Sequence, residues 1–315
     1  MRFRIALITM VLFVIAMVTI KFTYKSENVP HEAVTSKKNI STYKVKPAAI
    51  PSDLTFAGEA VPVQYYDVRE RLDRELLVNK YWHSSTFQLI KRANRFFPLI
   101  EKILKEEGVP NDLKYIAVAE SGLQNVVSPS GAAGFWQFLK GAARDFNLEV
   151  NSVVDERYHL EKATRAACQY MKWNYEKFGS WALAAAAYNY GRSSVIRQMD
   201  RQKCSNYYDL LLPEETERYV FRLIAMKLIL SNPHNFGFNL SQSDLYPPIR
   251  TQKQMVDVPI SDLAEFAQEH GMSYRMLKEF NPWLRENYLK NVKKPSYELL
   301  IPHKHFRNQY DHLTY

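Results

Sequence analysis

The chain has 315 residues, 46% of them hydrophobic and 13% aromatic, enough for one well-filled core and a smaller module; a disordered or collagen-like chain is excluded. Its formal charge of +9 points to an acidic partner until its location is considered: the first 50 residues hold eight basic and two acidic side chains, leaving only a mildly basic body. With neither a Cys/His finger pattern nor a glycine-rich phosphate loop, nucleic acid is not an expected partner.

Met1-Arg2-Phe3-Arg4 is a positive start, and Ile5 to Ile20 is a run of sixteen apolar or neutral residues. Residues 1–22 therefore read as an export signal, with the body outside the cytoplasm. No small-x-small cleavage site comes after it, so an uncleaved signal anchor in the membrane is the first expectation and a cleaved signal peptide the alternative. Residues 23–65 shift to Ser, Thr, Lys, Ala and Pro without periodicity, the composition of a flexible linker. Helical spacing then begins, from Val68 to Val78 and from Thr86 to Glu107 behind Ser84 and Ser85 as caps. Pro98 is expected to kink or split the second helix.

The next helix starts at Pro110-Asn111-Asp112 and places Leu113, Ile116, Ala117 and Glu120 at i, i+3, i+4 and i+7. Glu120 thus continues an apolar stripe, where dehydration raises a carboxyl pKa toward what a general acid needs near neutral pH. Most helical glutamates are solvated or paired. The residues after Glu120 single it out: Gly122 can end the helix, and a Ser/Pro/Gly loop runs from Ser128 to Gly134, so the carboxyl faces a turn where sites tend to form.

Beyond Gly134-Phe135-Trp136-Gln137-Phe138, a helix is expected from Leu160 to Phe178 and another from Trp181 to Tyr190. Alanines at 182, 184, 185, 186 and 187 suit the second to a buried central position. Gly191 should end it, placing Tyr188 and Asn189 near its tip. Glu214 to Leu230 is the last long helix, and residues 66–240 make a mainly α domain. A composition break at Asn239 to Pro248 precedes a small β-α-α-β module over residues 245–315: a strand from Met255 to Ile260, helices from Ser261 to His270 and Ser273 to Phe280, and a strand from Tyr297 to Ile301.

Cys168 and Cys204 admit a disulfide in an exported body, or a buried thiol at Cys168 packing as a small hydrophobe. The eight histidines show no HExxH or comparable pairing, and neither a metal nor another cofactor is expected.

Three ordered blocks carry a resemblance: Glu120-Ser121, then Gly131-Ala132-Ala133-Gly134-Phe135-Trp136-Gln137-Phe138, then Ala187-Tyr188-Asn189-Tyr190-Gly191. Together they resemble the signature of the lytic transglycosylases of bacterial cell walls, and within that family the membrane-bound D type. The resemblance covers residues 68–230 well. At the C-terminus, Ser261-Asp262-Leu263, His270-Gly271-Met272-Ser273, Leu277, Asn281-Pro282 and Leu300-Ile301-Pro302 resemble a divergent LysM peptidoglycan-binding module. Two departures stand out. Gln124-Asn125 occupies the place of an Asn-Pro after the Glu-Ser pair, and Lys293-Lys294-Pro295 that of a glycine-containing turn before the last strand.

The resemblance implies a lysozyme-like helical fold that cleaves the β-1,4 bond between N-acetylmuramic acid and N-acetylglucosamine in peptidoglycan, leaving a 1,6-anhydromuramic end. It implies Glu120 as catalytic acid and then base, with Ser121, Gly134, Gln137, Tyr188 and Asn189 binding the substrate. Glycan strands would be the partner, and the cell envelope the location, with a periplasmic body on the inner membrane. A hydrolase would need a second carboxylate. The candidates near the motifs, Asp145, Glu149, Asp155 and Glu156, all stand in polar contexts. A hydrolytic muramidase and a silent peptidoglycan-binding protein are the alternatives.

Overall fold

The computed structural model describes residues 46–290, 294–304 and 306–308. The export signal expected over residues 1–22 lies outside them, and among the described residues no helix is long and apolar enough to cross a membrane.

The first ordered element corrects the linker expectation. Strands β1 (Thr55–Phe56) and β2 (Glu59–Ala60) pair antiparallel around Ala57 and Gly58, whose φ angles are both positive, at 53° and 84°. That two-residue turn has the twist that matches paired strands. Leu54 and Phe56, then Val61 and Val63, are buried in the helical core, so residues 54–63 are packed rather than part of a tether. The alternation is only two residues long on each side, too brief to stand out from its Ser/Pro-rich surroundings. The hairpin also caps a later helix: Glu59 accepts from the backbone N–H groups of Trp181 at 2.5 Å and Ala182 at 3.2 Å, the unpaired donors of a helix start.

Helix α1 (Tyr66–Tyr81) and helix α2 (His83–Glu106) come next. The second starts one residue before the serines expected to cap it, and it runs unbroken through Pro98. Leu89, Ile90 and Ala93 before the proline and Ile100, Ile103 and Leu104 after it enter one core. Their burial, at roughly 1.5–3 kcal/mol per large side chain, outweighs the roughly 3 kcal/mol of an interior proline. A 3-10 turn at Asn111–Lys114 leads into the short α3 (Tyr115–Ser121), and α4 (Lys140–Asp145) lies beyond the loop.

Helix α5 (Leu160–Phe178) and helix α6 (Trp181–Tyr190) have the expected bounds. All the alanines of α6 are buried, and the helix packs against α5, against α7 (Arg192–Gln202) and against α8 (Glu214–Ser231). Small side chains on several faces of one helix permit this many neighbours to approach. Helix α7 was not expected: its sequence is polar, and only Val195 is buried.

The last part is the β-α-α-β unit. Strand β3 (Thr251–Val256) pairs antiparallel with β4 (Tyr297–Pro302), in register from Thr251 opposite Pro302 to Val256 opposite Tyr297. Between them lie α9 (Leu263–Glu269), capped by the Asp262 carboxylate, and α10 (Tyr274–Phe280), capped by the Ser273 hydroxyl. Leu263, Ala267, Leu277, Trp283, Leu289 and Leu299 fill this unit, and Ala133, Val154 and Tyr158 of the helical part join the same cluster. Among the described residues, those from 47 onward accordingly form one packed unit. The observed architecture is mainly helical with a small strand-containing module, as expected.

Candidate active site

Glu120 is the penultimate residue of α3. The helix ends one residue later because Gly122 adopts the left-handed conformation, with φ 60°. The N–H of Gly122 bonds to the Val118 carbonyl at 2.9 Å, the 5→1 bond of a left-handed helix end, and that of Leu123 reaches the Ala117 carbonyl at 3.4 Å. Arg92 of α2 grips the same end, its Nη1 donating to the Gly122 carbonyl at 2.7 Å. Leu113, Ile116 and Ala117 are fully buried, so the stripe that carries Glu120 faces inward as its spacing predicts.

The carboxyl of Glu120 accepts a 2.5 Å hydrogen bond from the hydroxyl of Tyr219 on α8. Burial pushes its pKa up from 4.5 to about 7. The Tyr219 hydrogen bond opposes that rise, the nearby charge of Glu215 adds to it, and Arg222 reduces it. Glu120 keeps intermediate surface exposure, so the residue is not sealed from solvent even though burial dominates at its carboxyl. A carboxyl that titrates near neutrality can both give and take a proton.

Two tyrosines frame it. Burial, with the Glu120 charge next in weight, holds the phenols of Tyr188 and Tyr219 well above their ordinary value, so both remain neutral donors. Tyr219 donates to Glu120 itself. Tyr188 donates instead to the Trp136 carbonyl at 2.7 Å, fixing the loop beside the acid. Tyr219 was not singled out from the sequence, yet the signal was there: on the stripe Thr216, Tyr219, Val220 and Leu223 it is a buried hydroxyl that must find a partner.

The other expected residues are mostly engaged with the protein. Ser121 Oγ contacts the carbonyls of Phe135 at 2.9 Å and Ala117 at 3.0 Å, tying α3 to the loop. Gln137 Nε2 donates to Gly134 at 2.8 Å and Val126 at 3.0 Å, from a residue with φ 48°. Asn189 accepts from the Thr216 hydroxyl at 2.8 Å and donates to Glu215 at 3.4 Å, which brings the tip of α6 onto α8. Gly134 has φ 82°, and a Cβ there would lie 1.9 Å from the Arg157 carbonyl oxygen, so the close approach it permits is by the protein's own backbone. Trp136 is fully buried, its Nε1 donating to Thr164 at 2.9 Å, and belongs to the core.

Of the four acids weighed as a second carboxylate, three are buried and occupied elsewhere. Asp155 is paired with Arg157, Glu156 with Lys162 and Lys294, and Glu149 with the Tyr297 hydroxyl. The acid that acts on Glu120 electrostatically is Glu215, exposed at the start of α8. Removing its charge in Glu215→Gln should lower the Glu120 pKa. Any activity that needs protonated Glu120 should then fall away at a lower pH than in the parent, as a pH–rate profile would register.

Two cavities flank this centre. The larger, about 640 Å³, is lined by Asp145, Phe146, Tyr170, Trp173 and Arg192, among others. The Tyr170 ring lies 5.2 Å from that of Tyr188, so the cavity begins one aromatic ring from the site. The smaller, about 340 Å³, is bordered by Glu75, Trp82, Ala119, Gly122, Arg218 and Arg222. Both cysteines are free, Cys168 buried within α5 and Cys204 after α7. Among the described residues, no group of three His, Cys, Asp or Glu side chains could hold a metal ion.

A half-buried acid at a helix end, held by a tyrosine and facing a glycine-bearing loop, coincides with a known domain. Residues 97–211 match the transglycosylase SLT domain, and residues 252–305 match the soluble lytic transglycosylase C-terminal LysM-like domain. The chain thus carries an SLT domain followed by a LysM-like domain. It is homologous to the membrane-bound lytic murein transglycosylase D of Escherichia coli, at 28% identity over 247 residues that make up 76% of this chain and 52% of the relative. The chain spans about half the length of the curated relatives it matches. Among solved structures, the 70 kDa soluble lytic transglycosylase of Escherichia coli aligns with 65% of this chain and 41% of its own, at 16% identity and a TM-score of 0.40. An inactive mutant of the lytic transglycosylase Slt from Pseudomonas aeruginosa aligns with 48% of this chain and 26% of its own, at 20% identity and a TM-score of 0.35.

Proposed function

We propose that the chain is a peptidoglycan lytic transglycosylase, a lyase that breaks the β-1,4 bond between N-acetylmuramic acid and N-acetylglucosamine without water and leaves 1,6-anhydromuramic ends. The observation that carries this reading is the single carboxyl of Glu120, raised to about 7 and hydrogen-bonded to a neutral tyrosine, inside a transglycosylase SLT domain.

In this mechanism, protonated Glu120 gives its proton to the glycosidic oxygen as the bond to the muramic C1 breaks, and the bonding pair leaves with that oxygen. The substrate's own acetamido oxygen shares the positive charge at C1. The C6 hydroxyl oxygen then closes on C1, and its proton returns to Glu120. The nucleophile is intramolecular, so no second carboxylate is required and the acid is regenerated in one cycle. The Tyr219 hydroxyl stabilises the carboxylate between the two transfers and aims it. Gln137 and Asn189 contact the sugars, Ser121 and Gly134 shape the loop beside Glu120, and Tyr188 holds that loop. The aromatic cavity beside Tyr170 and Trp173 accepts sugar rings by stacking on their apolar faces. The relative's name carries the words membrane-bound, which supports a place in the cell envelope with the body in the periplasm, held by residues 1–22.

One observation favours a second reading, a hydrolytic muramidase: Glu215 is an acid close enough to act on Glu120, and in a hydrolase it would activate water or bind the intermediate. Digestion of purified sacculi separates these readings. The transglycosylase yields muropeptides with anhydro ends and keeps most of its activity in Glu215→Gln at acidic pH. New reducing ends, lost in that variant, would identify the muramidase, and absence of any release would identify a silent binding protein.

A further inference from the structure

A module that serves as a mobile glycan hook would be expected to hang from the catalytic part by a linker. Here one face of it is buried against residues 149–159. The Asp155 N–H donates to the Trp283 carbonyl at 2.9 Å, and the Arg285 N–H to the Val153 carbonyl at 2.8 Å, on either side of a backbone bridge between Val154 and Leu284. Side chains extend the contact. The Tyr297 hydroxyl lies 3.0 and 3.2 Å from the two oxygens of Glu149, Lys294 Nζ is 2.6 Å from Glu156, and the Arg285 guanidinium sits 4.3 Å above the Tyr158 ring. The His159 ring stacks on Trp283 with centroids 6.0 Å apart, and burial pushes its pKa down to about 4, so the imidazole is neutral there.

The other side of the same segment holds the loop of the active site. Arg157, whose side chain is 4% exposed, is clamped by both oxygens of Asp155, at 2.9 and 2.7 Å. Its Nη1 donates to the carbonyls of Gly131 at 2.8 Å and Phe138 at 3.0 Å, the two ends of the loop. Its own carbonyl packs where a side chain of residue 134 would be. Between those ends, Phe135 receives Ser121 and Trp136 receives Tyr188, the two contacts that set the loop beside Glu120. The links are buried or part-buried hydrogen bonds and close packing, and interiors packed in this way transmit displacement.

We propose that the C-terminal module is a fixed brace for the cleavage loop: Tyr297, Lys294 and Arg285 hold residues 149–159, and Arg157 passes that placement to residues 131–138. Arg157 is on this view a positioning residue that never touches the sugar. The kinetic consequence rests on the transglycosylase reading, whereas the geometric one does not.

The test uses the full chain in two forms, Arg157→Lys and the triple variant Arg285→Ala, Lys294→Ala, Tyr297→Phe, with circular dichroism to verify that each is folded. The triple variant spares the module's own core and stands in if Arg157→Lys does not fold. Hydrogen exchange should accelerate in residues 126–138 in both forms and stay unchanged in α8. On sacculi, kcat should fall by about 10-fold or more with KM unchanged, since small misplacement of reacting groups is costly. Unchanged exchange in the loop would overturn the brace. So would a raised KM with unaltered kcat, the behaviour of a glycan hook. If the parent chain itself turns over no sacculi, the transglycosylase reading falls and loop exchange alone decides the brace.

Discussion

Glu120→Gln is expected to release no soluble muropeptide from sacculi while still binding them, a loss of about 10²–10⁴-fold for one acid–base group that serves both steps. The substitution keeps the shape, and the glutamine oxygen can still accept from Tyr219, so the loss isolates the proton. Stability should move the other way. In the folded chain the carboxyl titrates near 7, against an ordinary value of 4.5, so the folded state holds a proton that the unfolded state has given up between those values. Stability is therefore lost as pH rises from about 4.5 through about 7, where burying the charge costs most. Glu120→Gln removes that cost. The variant should match the parent in thermal unfolding at pH 4 and exceed it by about 2 kcal/mol at pH 8, the full shift being discounted for the residue's partial exposure. Equal stability at both pH values would show that Glu120 is not dehydrated.

Gly134→Ala is expected to be the most damaging substitution in the loop. Its Cβ would lie 1.9 Å from the Arg157 carbonyl oxygen at a φ of 82°, and the obstacle is backbone, not a side chain that can swing away. Overpacking and left-handed strain together should cost about 3–5 kcal/mol and lower activity by disturbing the loop that Ser121 and Tyr188 hold. Gly131→Ala is the control. It has a similar φ of 81° with open space around it, so only the strain of about 1–2 kcal/mol remains. Urea unfolding of both variants gives the comparison, and equal effects would mean that the Arg157 contact yields without cost.

The parts of the fold that could be read in the sequence were those whose signals are local. Leu160–Phe178 and Trp181–Tyr190 show their bounds through periodicity and through the glycine that comes after each. Gly122 ends the helix of Glu120 as a glycine in that place suggests. The hairpin at residues 55–60 was hidden because its hydrophobic residues alternate over too few positions, and α7 because almost none of its side chains is buried. Pro98 misled because a local rule was outweighed by burial on both sides.

The site was legible only at one end of each interaction. An acid on an apolar stripe could be seen at Glu120, but its hydrogen-bond partner lies 99 residues further on, and nothing near either residue fixes that pairing. Glu215 and Arg222, which tune the acid, look in sequence like ordinary helix-surface charges. Glu149, Asp155 and Glu156 looked like acids in polar contexts, and only their partners reveal that Glu149 and Glu156 secure the join to the last module through Tyr297 and Lys294, while Asp155 holds Arg157. Sequence spacing locates an unusual residue, whereas its surroundings are set by tertiary packing.

Digestion of sacculi in water enriched in oxygen-18, with mass spectrometry of the released muropeptides, tests the one-carboxyl mechanism most directly. If Glu120 takes its proton back from the C6 hydroxyl and no water enters, every new muramic end should be anhydro and free of the label. Reducing ends carrying one labelled oxygen would show that water attacks C1 and would contradict the mechanism.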